Sequence, residues 1–356
     1  VEERGEIVPG LGGEVRPLAV GPDGRIYGTG DDYVGVFAFD PKSDRTTVLG
    51  PRPGHAPYTH IVCGGLLYSS GYPGGQLFVY DPARPWTLGK GGPPGRSSLN
   101  ENHPMSNPHR IGEFRQSRVA IMHSAAMGAD GKVYFGGFGV RNYTGGGLGW
   151  YDSNAGKLEC LWKPLSGYAA YWISPLFDGR LIAISTKTAP DELNSSQVPE
   201  QAKLFFYSVA EDKIVRQIVP IAKGRTAGLI AEVAPGRLLG WTLAPEHPDR
   251  SILYGVDVTA GEVLFRKTLP SRVSTDAYWP HWVDPSYVYE HLTLGSDGFV
   301  WTYLKDVLVR IDPKDLRVHV VGKVSPAGYP TFAGRDVYLS GAEQLRRIRN
   351  VVPASP

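Results

Sequence analysis

The sequence predicts an all-β chain of seven sheet repeats, on three observations. A phrase of tight turn, alternating apolar run, second run and short closing run recurs from end to end. Forty-five glycines and thirty prolines, with 20% charged residues, suit a chain rich in tight turns. Helix-period segments are few, and pieces such as Gln197-Val198-Pro199-Glu200-Gln201 are too broken by proline to propagate.

The phrase is clearest over 128–162, GADGKVYFGGFGVRNYTGGGLGWYDSNAGKLECLW. Asp130-Gly131 precedes the run Lys132-Val133-Tyr134-Phe135, a glycine-rich loop follows, and a second run ends in Gly149-Trp150-Tyr151-Asp152. Aspartate–glycine between apolar runs marks a tight turn, because glycine tolerates positive φ and aspartate can bond its own backbone. The same phrase reads GPDGRIYG then VFAFDP at 21–28 and 36–41, and CGGLLYSS then LFVYDP at 63–70 and 77–82. It continues as FDGRLIAI then LFFYSV at 177–184 and 204–209, and as APGRLLGW then LYGVDV at 234–241 and 253–258. The last two copies are SDGFVWTY then LVRIDP at 296–303 and 308–313, and AGRDVYL then LRRIRN at 333–339 and 345–350. The turns fall at Asp23, Gly64, Asp130, Asp178, Pro235, Asp297 and Gly334, a mean spacing of about 52 residues.

A four-stranded repeat cannot bury both faces alone, so its copies stack, and radial closure of such sheets is a β-propeller. The prediction is therefore one domain over 1–356, with blades near 11–50, 56–88, 118–163, 168–220, 226–270, 288–324 and 327–352. The last copy lacks a fourth strand, whereas Gly5-Glu6-Ile7-Val8-Pro9-Gly10 resembles the fourth strands of other copies, such as Thr47-Val48-Leu49-Gly50. Residues 1–10 are expected to complete the last blade, closing the ring and removing a free sheet edge.

A net charge of +2 and the lack of a basic stripe interleaved with aromatics argue against a nucleic-acid partner. No run reaches the roughly 18 to 20 apolar residues of a membrane span. Cys63 and Cys160 are read as small buried hydrophobes rather than a bridge. The sequons Asn142-Tyr143-Thr144 and Asn194-Ser195-Ser196 fit a secreted or periplasmic protein. The expected assembly is a monomer.

In a propeller the first strand of each blade lines the channel, and function lives in the loops at its mouth. Counting seven residues back from each turn gives Arg16, Pro57, His123, Tyr171, Gly228, Glu290 and Ala327, with His60 and His291 close by. Channel residues are often merely solvated, so the polar ring alone decides little. Three loops add to it. The long stretch 83–118 is read as the entry to the third blade and carries His103, His109, Arg115 and Arg118. Residues 270–288 supply Tyr278, Trp279, His281 and Trp282, rings on which a sugar can stack, or which cap the seam between blades. Between glycines 137 and 147 lie Arg141 and Tyr143.

No nucleophile elbow, phosphate loop or paired-cysteine metal site is present. His103 and His109, with His123 or His60, could complete a divalent-metal site, and no other cofactor is expected. Glu290 is the one good carboxylate at the mouth, short of the pair that glycoside hydrolysis uses. Histidine, tyrosine and several arginines suit β-elimination from a uronate. An arginine fork holds the carboxylate, one group removes the adjacent proton, and another protonates the departing oxygen.

The blade signature DGRIY…YDP…GxV, spread over essentially the whole chain, resembles that of seven-bladed bacterial and fungal propellers. That group includes the streptogramin B lyases and the polysaccharide lyases acting on uronates. It is similar also to propellers active on rhamnose–glucuronate linkages, in which a histidine near the channel is important. The resemblance implies the propeller architecture and a lyase activity. The leading expectation is a lyase on a uronate-containing saccharide, with His123 as base or acid and Tyr171, His60 and His291 as partners. Arg16, Arg115, Arg118, Arg141 and Arg225 would hold the carboxylate, with Tyr143, Tyr278, Trp279, His281, Trp282 and Glu290 completing the binding surface. The alternatives are a non-catalytic propeller that binds a glycan or protein, a glycoside hydrolase, and, lacking tryptophan-docking repeats, a quinone-dependent dehydrogenase.

Overall fold

The structure is a computed structural model that describes residues 3–7, 15–30, 35–54, 56–72, 74–88, 102, 105–114, 119–139, 145–188, 199–269, 292–304, 307–323, 330–340 and 344–352. At 3–7, 15–17, 56, 72, 247–249, 304 and 344 the backbone alone is described. Among these residues there is no α-helix, and a 3-10 turn spans Lys163–Leu165.

Strand β1 (Glu3–Ile7) precedes a first sheet of β2 (Val15–Val20), β3 (Ile26–Gly30), β4 (Val36–Asp40) and β5 (Arg45–Gly50). The second holds β6 (Ala56–Cys63), β7 (Leu66–Tyr72), β8 (Gln76–Tyr80) and β9 (His109–Glu113). The third holds β10 (Ile121–Met127), β11 (Val133–Phe138), β12 (Gly146–Asp152) and β13 (Lys157–Leu161). The fourth is β14 (Tyr168–Leu176), β15 (Leu181–Thr188), β16 (Leu204–Ser208) and β17 (Lys213–Ile218). The fifth is β18 (Leu229–Ala234), β19 (Arg237–Ala244), β20 (His247–Asp257) and β21 (Glu262–Thr268). The sixth is β22 (Thr293–Leu294), β23 (Val300–Leu304), β24 (Val307–Ile311) and β25 (Val318–Lys323). The seventh is β26 (Pro330–Ala333), β27 (Asp336–Ser340) and β28 (Gln344–Ile348), joined by β1. These seven antiparallel sheets are the blades of a β-propeller, as the repeat predicts.

The N-terminal strand completes the last blade: β1 pairs β28 from Glu3↔Ile348 to Ile7↔Gln344. The second blade departs from its expected span, because its fourth strand is β9 rather than a run ending near 88. Val79 pairs with His109 and Gln76 with Glu113. Stretch 83–118 is thus a connection followed by a strand. Asn107 secures the return: its Nδ2 donates to the carbonyls of Asp81 (2.9 Å) and Arg84 (3.0 Å), and its Oδ1 accepts from the Asp81 amide (2.8 Å).

Contacts divide the chain into two compact units. One comprises Val1–Glu113, Gly295–Asp297 and Ala327–Pro356, and the other Phe114–Leu294 and Gly298–Pro326. In both, middle strands are buried on two faces, so β3 (IYGTG) and β16 (LFFYS) are buried throughout. Fourth strands such as β17 (KIVRQI) and β21 (EVLFRKT) alternate between shielded and exposed positions instead. In the first unit Leu18, Ile26, Phe37, Phe39, Tyr338 and Leu345 form one buried cluster. In the second, Leu204, Phe206, Ile230, Leu238 and Tyr254 form another between neighbouring sheets. Removing a fully buried phenylalanine ring such as Phe37 from water contributes about 2–3 kcal/mol.

The turns are built as the sequence predicts. Asp23 Oδ1 accepts from the Arg25 amide (3.1 Å) and Oδ2 from the Tyr27 hydroxyl (2.7 Å). Asp130 repeats this with the Lys132 amide (3.2 Å) and the Tyr134 hydroxyl (2.9 Å). Cys63 and Cys160 are half-buried thiols, and burial pushes that of Cys160 up to about 12.

Candidate functional site

Four first strands share an irregularity. Their registers shift between Arg16 and Leu18 in β2, Pro57 and Thr59 in β6, Met122 and Ser124 in β10, and Ala170 and Trp172 in β14. The extra residues are Pro17, Tyr58, His123 and Tyr171. A bulge leaves its extra residue out of the ladder and re-aims that side chain. His123 and Tyr171, found by counting back from the turns, therefore occupy matching bulges near the start of β10 and β14. Arg16 and Pro57 fall one residue before theirs, and the Arg16 side chain lies outside the described residues.

Within the second unit the structure brings His123 and Tyr171 each against one ring. The imidazole meets Phe138 edge-on, with centroids 4.8 Å apart, and Phe138 meets Tyr171 at 6.1 Å. Phe138 ends β11 opposite Ile121, so the trio sits where the third and fourth blades begin. His123 is half-buried with its Nε2 shielded from solvent, and Tyr171 is 8% exposed, packed with Ala169, Leu229 and Trp241.

Arg225 is exposed just before β18; its backbone carbonyl accepts from the Thr188 amide (2.8 Å) and hydroxyl (3.2 Å). Lys187, missed by the sequence reading, lies in β15 and is 2% exposed. Parity could have exposed it. Ala183, Ser185 and Lys187 alternate with Ile182 and Ile184, so a lysine continues a buried face. Phe138, the ring that joins histidine to tyrosine, was also missed, because it reads as an ordinary core residue.

His60 lies in the first unit. Its Nε2 is 2.8 Å from Thr29 Oγ1 and its Nδ1 is 2.6 Å from Ser69 Oγ. Burial pushes the ring down to about 3, so it is neutral near pH 7. One nitrogen donates and the other accepts, and both are committed to hydroxyls. Beside it is a cleft walled by Gln76, Phe78, Tyr80 and Trp86. Its volume of about 20 Å³ is room for one or two ordered water molecules.

His109 is in the outer strand β9, and His103 lies outside the described residues, among which no three His, Cys, Asp or Glu side chains cluster as metal ligands. Arg115, Arg118, Arg141, Tyr143, Tyr278, Trp279, His281, Trp282, Glu290 and His291 also lie outside them.

No family model and no curated protein matches the chain in sequence. Among solved structures, a catalytically inactive histidine-to-alanine variant of virginiamycin B lyase from Staphylococcus aureus, bound to quinupristin, is similar at 11% identity. The similarity covers 97% of this chain and 98% of that one, with a TM-score of 0.62. Hydrazine synthase from Kuenenia stuttgartiensis is similar at 10% identity over 94% and 95% of the two chains, with a TM-score of 0.61. At such identities the likeness establishes the class, a seven-bladed β-propeller. Its members here carry unrelated chemistries, a streptogramin B lyase and a hydrazine synthase, so chemistry has to be argued from the site.

Proposed function

We propose that the protein is a carbon–oxygen lyase that cleaves a uronate-containing saccharide by β-elimination, using His123 and Tyr171. The observation that carries this reading is their placement at matching bulges of adjacent blades, each packed on Phe138. Two groups able to hold and release a proton thus pack on one ring of the same unit. His123 takes the proton from the carbon next to the carboxylate; the electron pair forms the double bond as the glycosidic carbon–oxygen bond breaks. Tyr171 returns a proton to the departing oxygen. Arg225 is the described arginine that would hold the carboxylate. His60, bonded at both nitrogens, is not poised to accept a proton and serves as a wall residue. The protein would act as a secreted or periplasmic monomer.

The test is ultraviolet absorbance of the unsaturated product over a panel of uronate saccharides, with quinupristin included because the similar lyase binds it. Activity on a uronate is expected to fall by about 10²- to 10⁴-fold in His123→Ala and by a smaller factor in Tyr171→Phe. Reducing sugar without unsaturation would point to hydrolysis instead. Neither signal over the whole panel would leave a non-catalytic propeller that binds a glycan or protein, a role that suits the packed setting of Tyr171.

A further inference from the structure

The two bulges that carry His123 and Tyr171 are tied to each other across the seam between the third and fourth blades. Among the described residues β14 pairs with one strand alone, β15. Its Ile173 amide finds an acceptor in the neighbouring sheet, donating to Ser124 Oγ of β10 (2.9 Å). Ser124 directly follows His123, and Ile173 lies two residues after Tyr171. Both ends of the bond are deeply buried, Ser124 at 2% exposure and Ile173 at 3%. No bulk water is at hand to replace the acceptor, so the bond is costly to lose.

Packing closes on the same point. Gly136 stands opposite Ser124 in the β10–β11 ladder. An added Cβ there would lie 2.8 Å from Ile173 Cγ2, 3.1 Å from Ser124 Oγ and 3.2 Å from the Ala170 carbonyl oxygen. The missing side chain is what lets β14 approach β10 so closely. Ile173 then packs with Tyr134, Ala170 and Ile184 in one buried cluster. A bulge leaves its extra residue without a ladder pair, so that residue needs another support to hold its direction. Here a hydrogen bond and a contact permitted by glycine hold the two bulges together, and with them the His123 and Tyr171 rings on Phe138.

We infer that Ser124 is a positioning residue that, through the Ile173 amide, sets where His123 and Tyr171 stand. Its part in the reaction rests on the elimination reading; the placement of the two rings does not. Buried as it is, the hydroxyl acts through those rings rather than on a substrate.

The experiment compares full-length wild type with Ser124→Ala, which removes the acceptor and little volume. Ser174→Ala is the control, because it removes a buried β14 hydroxyl that bonds within its own strand, to the Pro175 carbonyl (3.4 Å). Two signals are read without substrate: hydrogen exchange at the Ile173 amide, and the ring resonance of His123 in protein carrying 13C-labelled histidine, assigned by its loss in His123→Ala. In Ser124→Ala, exchange at Ile173 should speed about tenfold. The His123 resonance should move while that of His60, in the first unit, stays, and Ser174→Ala should change neither signal. On the uronate saccharide that wild type cleaves, kcat should fall about tenfold in Ser124→Ala with KM within about twofold, and Ser174→Ala should keep the wild-type kcat. A His123 resonance that stays in place in Ser124→Ala, or moves as far in Ser174→Ala, overturns the positioning role whatever the activity does. A moved resonance with an unchanged kcat removes Ser124 from the reaction. Wild type that yields no unsaturated product overturns the elimination reading instead, and the two substrate-free signals then decide the placement by themselves.

Discussion

His60 shows how a single buried ring ties stability to pH. Its folded value near 3 lies below the ordinary 6.5, so between those pH values the unfolded chain binds the extra proton. Stability from this group is therefore complete above about pH 6.5 and is lost as pH falls toward 3. The loss is expected to be on the order of 3 kcal/mol, because the residue keeps some exposure. Urea midpoints at pH 7 and pH 4 should differ less in His60→Asn than in wild type; equal differences would remove the ring from the account. Gly228 gives a sharper case. Its φ is +69°, and an added Cβ would lie 1.8 Å from the Trp241 carbonyl oxygen. Gly228→Ala should cost upwards of about 3 kcal/mol. At Gly24, where φ is +78° but nothing lies within 4 Å, alanine should cost only about 1–2 kcal/mol. At this scale the sequence disclosed residues that a turn could index: His123 and Tyr171 fell on the bulges because each lies seven residues before its turn. Lys187 stayed hidden, because burial of a lysine depends on which strand pairs beside it, and an antiparallel bridge from Lys187 to Thr226 joins segments that share no repeat phrase.

Elements were legible in proportion to how closely they kept the repeat. Strand β1 could be anticipated because the seventh copy runs out after its third strand and the chain's start supplies the missing phrase. Its observed span, Glu3–Ile7, begins two residues before the stretch that resembled a fourth strand. Strand β9 could not be anticipated, since a long connection displaces it and its sequence, HRIGE, carries one apolar side chain in five positions. Pairing with β8 and the Asn107 clamp hold it instead. In the seventh blade an arginine pair adds to the closure by β1. Arg347 donates to Asp336 (2.7 Å) and to Asp44, and Arg349 donates to Asp44 (2.7 Å), tying that blade to the turn between β4 and β5. Asp44 is part-exposed, so Asp44→Ala should lower stability by only about 1 kcal/mol in a urea melt. Removing residues 1–7 takes away the whole β1–β28 ladder, so the expected loss is larger, about 2–5 kcal/mol. It also bares an edge strand, so concentration-dependent association should appear in light scattering.

At the scale of the whole molecule, repeat architectures divide their stability among units that contact mainly their sequence neighbours. The contacts of this chain divide in that way, with both chain ends in the unit that also holds β2 to β9. Two-state bookkeeping is not guaranteed for such a chain. Native-state hydrogen exchange tests the consequence, because it reads local opening free energies amide by amide. Buried middle strands of either unit, such as β27 and β15, should hold the slowest amides in full-length protein. Deleting residues 1–7 should then speed exchange in β26 to β28 and spread to β2 through β9, while β14 to β20 keep their protection. The reason is that, among the described residues, β1 hydrogen-bonds to β28, and the clusters that bury the fourth and fifth blades draw on the second unit. If every blade instead accelerates by the same factor, the seven sheets open as one cooperative body, and the division by contacts has no energetic counterpart.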